Sequence, residues 1–241
     1  MLIIRAAEEK DVVHLVKLAQ KAGKGMTSLP TCPDSLARKV SQSIDSFQRQ
    51  HADEKDYFLL VMEDTEKQAV VGTAGVYARI GSRQAFYAYR LMPLTHYSHT
   101  LNKQVRSQLL HLTNDYTGCS EVGTLFLDPE YRGNGRWLSK SRYLLMSQFS
   151  ERFSNTVIAQ LRGHINEQGQ SPFWEALGKH FFEMDYGEAD RLCGIGSNQF
   201  ITELMPKHPI YSRLLPKEAR DAIGTPPKES RRAMRMLLDE G

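Results

Sequence analysis

Val122–Leu127 is an apolar-rich run closed by Asp128-Pro129. A few residues later Arg132-Gly133-Asn134-Gly135 leads directly into a second periodic segment, Trp137–Phe149, with Leu138, Leu145 and Phe149 in register. A strand that enters a helix through closely spaced glycines has few ways to fold. Glycines let successive backbone N–H groups point into one concavity, and the new helix adds the positive end of its dipole there. A pyrophosphate suits such a concavity, and Arg132 and Arg136 would add charge-assisted donors. The plainer alternative is a tight turn with glycine for its dihedrals and arginine for solubility. No Gly-Lys-Ser/Thr ending is present, so this is not a Walker A loop, and the G-x-G-x-x-G spacing of a dinucleotide fold is absent too.

The elements around this turn alternate between the two periodicities. Leu2–Ile4 reads as a short strand. Asp11 stands as N-cap to a helix carrying Val12, Leu15, Val16 and Ala19, stopped by Gly23 and Gly25. A second helix is expected from Ser35 to Gln50 with Leu36, Val40, Ile44 and Phe47 on one face. Tyr57–Met62 and Val70–Tyr77 read as a hairpin, and Phe86–Leu91 as a third strand of the same antiparallel run. Pro93–Tyr116 is ambiguous, because Leu101, Val105 and Leu109 suggest a helix among polar loop residues. Val157–Leu161 reads as a strand. Ser171-Pro172 opens a helix to about His180, with proline where its missing N–H is not needed. Shorter helices are expected at Glu188–Leu192 and Asn198–Met205. Lys217–Gly241 reads as helix, Pro-Pro break, helix. This is an α+β pattern around one mixed sheet.

At 241 residues, with 41% hydrophobic and 24% charged, the chain can bury a sizeable core and stay soluble. Lys plus Arg exceed Asp plus Glu by only 31 − 28 = +3, which argues against a nucleic-acid coat protein. Cys32, Cys119 and Cys193 lie far apart and form no metal spacing, as reduced thiols in a cytoplasmic protein would. The N-terminus does not read as a signal peptide, and no run approaches the roughly 18 apolar residues of a membrane span.

Arg132-Gly133-Asn134-Gly135 resembles the acyl-CoA-binding turn of the GNAT acyltransferases, Gln/Arg-x-x-Gly-x-Gly/Ala, over its first four positions. Trp137 stands where the last small residue belongs. Ile4-Arg5-Ala6-Ala7, with Asp11 opening a helix, is similar to that fold's first strand and helix. The resemblance implies a GNAT-like α+β fold, a mixed and mostly antiparallel sheet flanked by helices. It also implies that the strand before the turn splays from its neighbour. Leu125, Phe126 and Leu127 would then contact the acyl-CoA, and Arg132, Gly133, Asn134, Gly135 and Arg136 its pyrophosphate. A narrower resemblance rests on ordered blocks spanning nearly the whole chain: Thr27–Pro30, Asn114–Gly118, Glu121–Pro129, Gly133–Gly135 with Leu138–Arg142, Ser171–Trp174 and Glu203–Tyr211. Together they resemble the arginine N-succinyltransferase family. That family moves a succinyl group from succinyl-CoA to the α-amino group of arginine in bacterial arginine breakdown. The implication is a succinyl-CoA co-substrate, no permanently bound cofactor, and partnership with itself or a paralogous subunit, with neither nucleic acid nor membrane.

The chain departs from the family in two places. The family's proton-donor histidine lies in a Gly-Gln-Val-His-Pro segment, and the matching Gly224-Thr225-Pro226-Pro227 has none. Family members continue into a further C-terminal region. Residues 1–215 are accordingly expected to form the acyltransferase domain and 216–241 a charged helical tail that begins that region. Two alternatives follow: an acyltransferase acting on ornithine or another amine, or an inactive CoA-binding subunit beside an active paralogue.

Acyl transfer from a thioester to an amine needs a neutral amine, a stabilised oxyanion and a proton for the leaving thiolate. An α-amino group titrates near ~8, so a base helps at neutral pH. Glu121, at the start of the strand leading to the turn, is the candidate base. Some GNAT enzymes place a glutamate at that distance from the Arg-x-x-Gly. Backbone N–H groups near Leu125–Leu127 could hold the oxyanion. His208 is the titratable group of the last family-like block. Trp174 occupies the place where many GNAT enzymes carry a tyrosine acid, and an indole cannot serve; Tyr186 and Tyr211 are possible substitutes. Cys119 reads as a bystander thiol. Arg90, Arg136 and Arg162 could meet a succinyl carboxylate, and Asp115, Glu167 and Asp185 a guanidinium.

Overall fold

A computed structural model of the chain describes residues 1–23, 26–82, 84–194 and 199–240. Gly25, Asn198 and Gly241, which the sequence reading places at element ends, lie outside them. The chain forms two compact units, Met1–Gln84 with Tyr116–Gln160, and Ala85–Asp115 with Leu161–Gly241.

The first unit is built on a five-stranded sheet in the order β1-β2-β3-β6-β7. Its strands are β1 (Leu2–Ala6), β2 (Tyr57–Asp64), β3 (Ala69–Tyr77), β6 (Ser120–Leu127) and β7 (Val157–Ile158). All neighbours are antiparallel except β6 and β7. Helices α1 (Val12–Ala22) and α2 (Pro33–Gln48) cover one face. There Leu15, Leu18, Leu36 and Val40 pack with Tyr57, Leu59 and Val61. Helix α3 (Gly135–Gln148) serves the other face, with Leu138 against Leu60, Met62, Val71 and Ala74. β1 ends at Ala6 opposite Leu60, which leaves β2 N–H groups without a strand. Buried Ser43 and Ser46 of α2 accept them, from Leu59 N at 2.8 Å and Tyr57 N at 3.0 Å. A buried donor must find a partner, and these serines supply it.

Asp11 departs from its expected role. A 3-10 turn, Glu9–Asp11, precedes α1, and the Asp11 carboxylate accepts Glu8 N at 2.8 Å. It also grips Arg5 through two bonds of 2.7 and 2.9 Å. Burial pushes this carboxyl up, but the Arg5 guanidinium and the Glu8 N–H outweigh it, and the result lies below the ordinary value. Helix α2 starts at Pro33 rather than Ser35, because a proline fits its first turn.

The second unit holds a separate three-stranded sheet, β4 (Ala88–Ser98), β5 (Lys103–Thr113) and β8 (Ile210–Tyr211), in the order β4-β5-β8. The expected third strand of the first run is thus β4, and it pairs with β5 instead of β3. The ambiguous segment is a long hairpin, not a helix. Spacings of four, such as Val105 to Leu109, fit one helix face and one strand face equally well. After Ser171, whose hydroxyl accepts Trp174 N at 3.3 Å, a π-helical turn (Trp174–Gly178) runs into α4 (Lys179–Phe182). Next come α5 (Tyr186–Gly194), α6 (Gln199–Leu204), α7 (Lys217–Ala222) and α8 (Arg231–Asp239). Leu110, Leu177, Leu215 and Ala219 form this unit's core. Among the described residues, no helix is long and apolar enough to cross a membrane.

Candidate active site

Strand β6 carries an extra residue. Gly123 faces Gly75, but Phe126 faces Thr73, so three steps on β6 match two on β3. The bulge sits at Thr124, whose φ is +52°, a left-handed conformation that a β-branched residue rarely adopts. Two contacts hold it there. Thr73 Oγ1 donates to the Thr124 carbonyl at 2.7 Å, and Thr124 Oγ1 lies 3.2 Å from Tyr57 Oη. Gly75 leaves room for this: a Cβ there would stand 2.9 Å from Thr124 Oγ1 and 3.0 Å from Tyr57 Oη.

The other edge of β6 is largely open. β7 pairs only with Ser120 and Glu121, so among the described residues Val122–Leu127 has no strand on that side. Leu125, Phe126 and Leu127, the residues that the resemblance sets beside the acyl-CoA, lie on this unpaired edge. Leu125 and Leu127 pack toward the α3 face and Phe126 toward the α1/α2 face.

The turn after β6 is pinned at both ends. Asp128 caps the 3-10 turn Pro129–Tyr131 and accepts Lys21 Nζ at 2.5 Å. Tyr131 Oη donates to buried Asp64 at 2.7 Å. Asn134 Nδ2 donates to the Tyr131 carbonyl at 3.0 Å. Gly133 alone needs glycine for its backbone, with φ +108°. Gly135 begins α3, and a Cβ there would meet only Leu127 Cδ2, at 4.0 Å, so the space beside it is open. The N–H groups of Gly133, Gly135 and Arg136 donate to no acceptor among the described residues. Such orphan donors at the start of a helix are what an anion satisfies. Arg132 and Arg136 are exposed beside them.

Glu121 is half-buried at the start of β6, opposite Tyr77. Burial pushes its carboxyl above the ordinary value, against the Gln160 hydrogen bond and the Lys39 charge. Its Oε1 and the Tyr77 ring both border the space over Gly123, each 3.6 Å from where a Cβ would be. Lys39 of α2 donates to Tyr77 Oη at 3.1 Å, and the Tyr57 and Tyr77 rings lie 4.6 Å apart. Burial, then Tyr77, drives the Tyr57 phenol well above its usual value. Sequence reasoning missed Thr124, Tyr57, Tyr77 and Lys39. Both tyrosines read as strand core, and a positive φ at threonine leaves no mark in a sequence.

The remaining candidates lie in the second unit, apart from Arg136 and Cys119. His208 is exposed just before β8. Trp174 stacks on Phe182 at 4.9 Å and donates its indole N–H to the Met184 carbonyl at 3.0 Å, a packing role. Tyr186 is half-buried and pushed up by burial, with Arg162 over its ring at 5.6 Å; Tyr211 is exposed in β8. Arg90 and Asp115, read as candidates for opposite ends of the substrates, form an ion pair with each other. Arg162 pairs with Asp190 at 3.0 Å and Asp185 with Lys179 at 3.1 Å. Arg136 and Glu167 carry no ion pair among the described residues. Cys119 is buried in the first unit.

The family described as arginine N-succinyltransferase beta subunit matches residues 2–241. An arginine N-succinyltransferase of Escherichia coli O17:K52:H18 is 44% identical over 243 residues, spanning all of this chain and 71% of that protein. One from Shigella dysenteriae serotype 1 is 43% identical with the same coverage. The solved arginine/ornithine succinyltransferase subunit AI of Pseudomonas aeruginosa superposes with a TM-score of 0.87 at 29% identity. It covers 100% of this chain and 71% of that one. The α+β fold, with its mostly antiparallel sheets flanked by helices, is that of this solved subunit, and the chain belongs to the arginine N-succinyltransferase family.

Proposed function

We propose that this protein transfers the succinyl group of succinyl-CoA to the α-amino group of arginine. Its membership of the family carries this reading, and the bulged, open-edged β6 with its orphan N–H turn supports it. In the mechanism, the CoA pyrophosphate rests on the N–H groups of Gly133, Gly135 and Arg136, with Arg132 and Arg136 adding charge and Asn134 shaping the turn. The backbone of Leu125, Phe126 and Leu127 lines the pantetheine and thioester. Glu121 takes a proton from the arginine α-ammonium. The neutral amine then attacks the thioester carbonyl, and the tetrahedral intermediate loses the second proton from its nitrogen and collapses to the amide. CoA leaves as a thiolate that takes up a proton, so that the net reaction releases one proton. A desolvated carboxylate is a stronger base than one in water, which suits Glu121 to this step. We assign the thiolate's proton to His208, a role that rests on its place in the Glu203–Tyr211 block. No activated nucleophile is called for, so the transfer is direct, without an acyl-enzyme.

Three free cysteines fit a reduced, cytoplasmic setting. The family's description as a beta subunit fits assembly with a paralogous chain. The test is thiol release from succinyl-CoA in the presence of arginine, with acetyl-CoA and ornithine as comparisons. Arginine-dependent release from succinyl-CoA is the expected result. Faster turnover with ornithine would move the acceptor, and CoA binding without release would make this chain a binding subunit.

A further inference from the structure

Lys39 and Glu121 stand on the same face of the first unit, one on α2 and the other on β6. The Lys39 ammonium donates to the Ser28 carbonyl at 2.8 Å and to Tyr77 Oη at 3.1 Å. It lies over the Tyr57 and Tyr77 rings at 5.3 and 5.7 Å. An ammonium carries three donors, so one N–H remains beyond these two bonds. The Glu121 carboxylate feels the Lys39 charge, yet no ion pair within 4.0 Å joins them among the described residues. Both side chains are half-buried, open to a ligand as well as to each other.

A cation and an anion that flank a space without meeting are complementary to a molecule with the reverse charges a short distance apart. An α-amino acid is such a molecule, since its amine and carboxylate share one carbon. If Glu121 faces the amine, the carboxylate needs a cation close by, and Lys39, whose charge acts on Glu121, is the cation that the fold holds there. Its ammonium is held by a carbonyl, a phenol and two ring faces, so little freedom is lost on binding.

We propose that Lys39 receives the α-carboxylate of the acceptor while Glu121 faces its α-amine, so that the pair selects α-amino acids and directs transfer to the α-nitrogen. The inference rests on the acyl-transfer reading and on Glu121 as base. It gives a reason for one nitrogen of the acceptor to react and not those of a guanidinium or a distal amine.

The test compares arginine with agmatine, the same molecule without its carboxylate, as acceptors for the wild type, Lys39→Met, Lys39→Arg and Tyr77→Phe. The wild type should favour arginine in kcat/KM by at least about tenfold, the effect expected for one charge-assisted bond. Lys39→Met should raise the KM for arginine by a similar factor, leave the KM for succinyl-CoA unchanged and bring the acceptor ratio near one. Lys39→Arg should restore much of the preference. Tyr77→Phe removes the Lys39–phenol bond but keeps the charge, so it should keep the preference. A purely structural Lys39 would instead make Tyr77→Phe resemble Lys39→Met. An unchanged arginine-to-agmatine ratio in Lys39→Met overturns the proposal. If the wild type releases no thiol with arginine, the transfer reading fails by itself. Calorimetric titration of both acceptors into CoA-loaded protein then decides the Lys39 question. Weaker arginine binding in Lys39→Met upholds it; equal binding, or none to the wild type, ends it.

Discussion

The Glu121 carboxyl is held in a place where its ionised form is disfavoured. Its folded pKa lies above the unfolded one, so the folded state binds the proton more tightly. The stability cost is absent below the unfolded pKa and grows as pH rises through the folded one. Glu121→Gln should therefore melt at a higher temperature than wild type at pH 7, and the gap should close toward pH 4. The same variant should lower kcat by about 10²–10⁴-fold with the KM for succinyl-CoA unchanged, and the acidic limb of the pH–rate profile should vanish. Full activity in Glu121→Gln would clear it of the base role. The two glycines of the turn should separate by mechanism. Gly133→Ala strains a left-handed backbone and should cost about 1 kcal/mol or more in denaturant titration. Gly135→Trp has room at Cβ, should melt cooperatively, and should abolish CoA binding measured by calorimetry. Glu121 and the turn could be named as candidates because spacing from the Arg-x-x-Gly, read through the resemblance, carries them. Lys39 was not, since its meaning comes from α2 crossing a strand far away in sequence.

Strand β6 joins two tasks, and the bulge is the joint. Thr73→Val would leave the buried Thr124 carbonyl without its donor, at a cost of about 1–3 kcal/mol, and should lower kcat through the shifted strand. Gly75→Ala would push a methyl against Thr124 and the Tyr57 phenol and should destabilise by about 1–3 kcal/mol. A melt of either variant that matches wild type would mean the bulge is not held by these contacts. Period-two reading found β6 as a strand but could not see its phase change, because the apolar run Leu125–Leu127 looks the same in either register. Likewise Val157–Leu161 shrank to two residues, as only Ser120 and Glu121 offer it a ladder. The hairpin hidden in Pro93–Tyr116 was illegible because both periodicities share its spacing.

The chain builds its first unit, leaves it at Gln84, returns at Tyr116 and leaves again after Gln160. Composition does not change at those points, so nothing in the sequence marked the excursion. Burial does differ: Tyr57–Met62 is sealed along its whole length, whereas most of Ala88–Ser98 is exposed. Hydrogen exchange should accordingly find β2 and β3 the slowest amides and the β4–β5 hairpin faster, and equal protection would contradict this ranking. The extra residue at Thr124 also has a bearing on descent. Glu121 and Gly123 share the face of Phe126, whereas Val122 lies with Leu125 and Leu127, so odd and even positions trade faces midway along the strand. No point substitution can undo such an exchange. A lineage that loses the residue must either turn Glu121 toward α3 or carry the Arg132–Gly135 turn out of register, so this position should tolerate replacement far more readily than deletion.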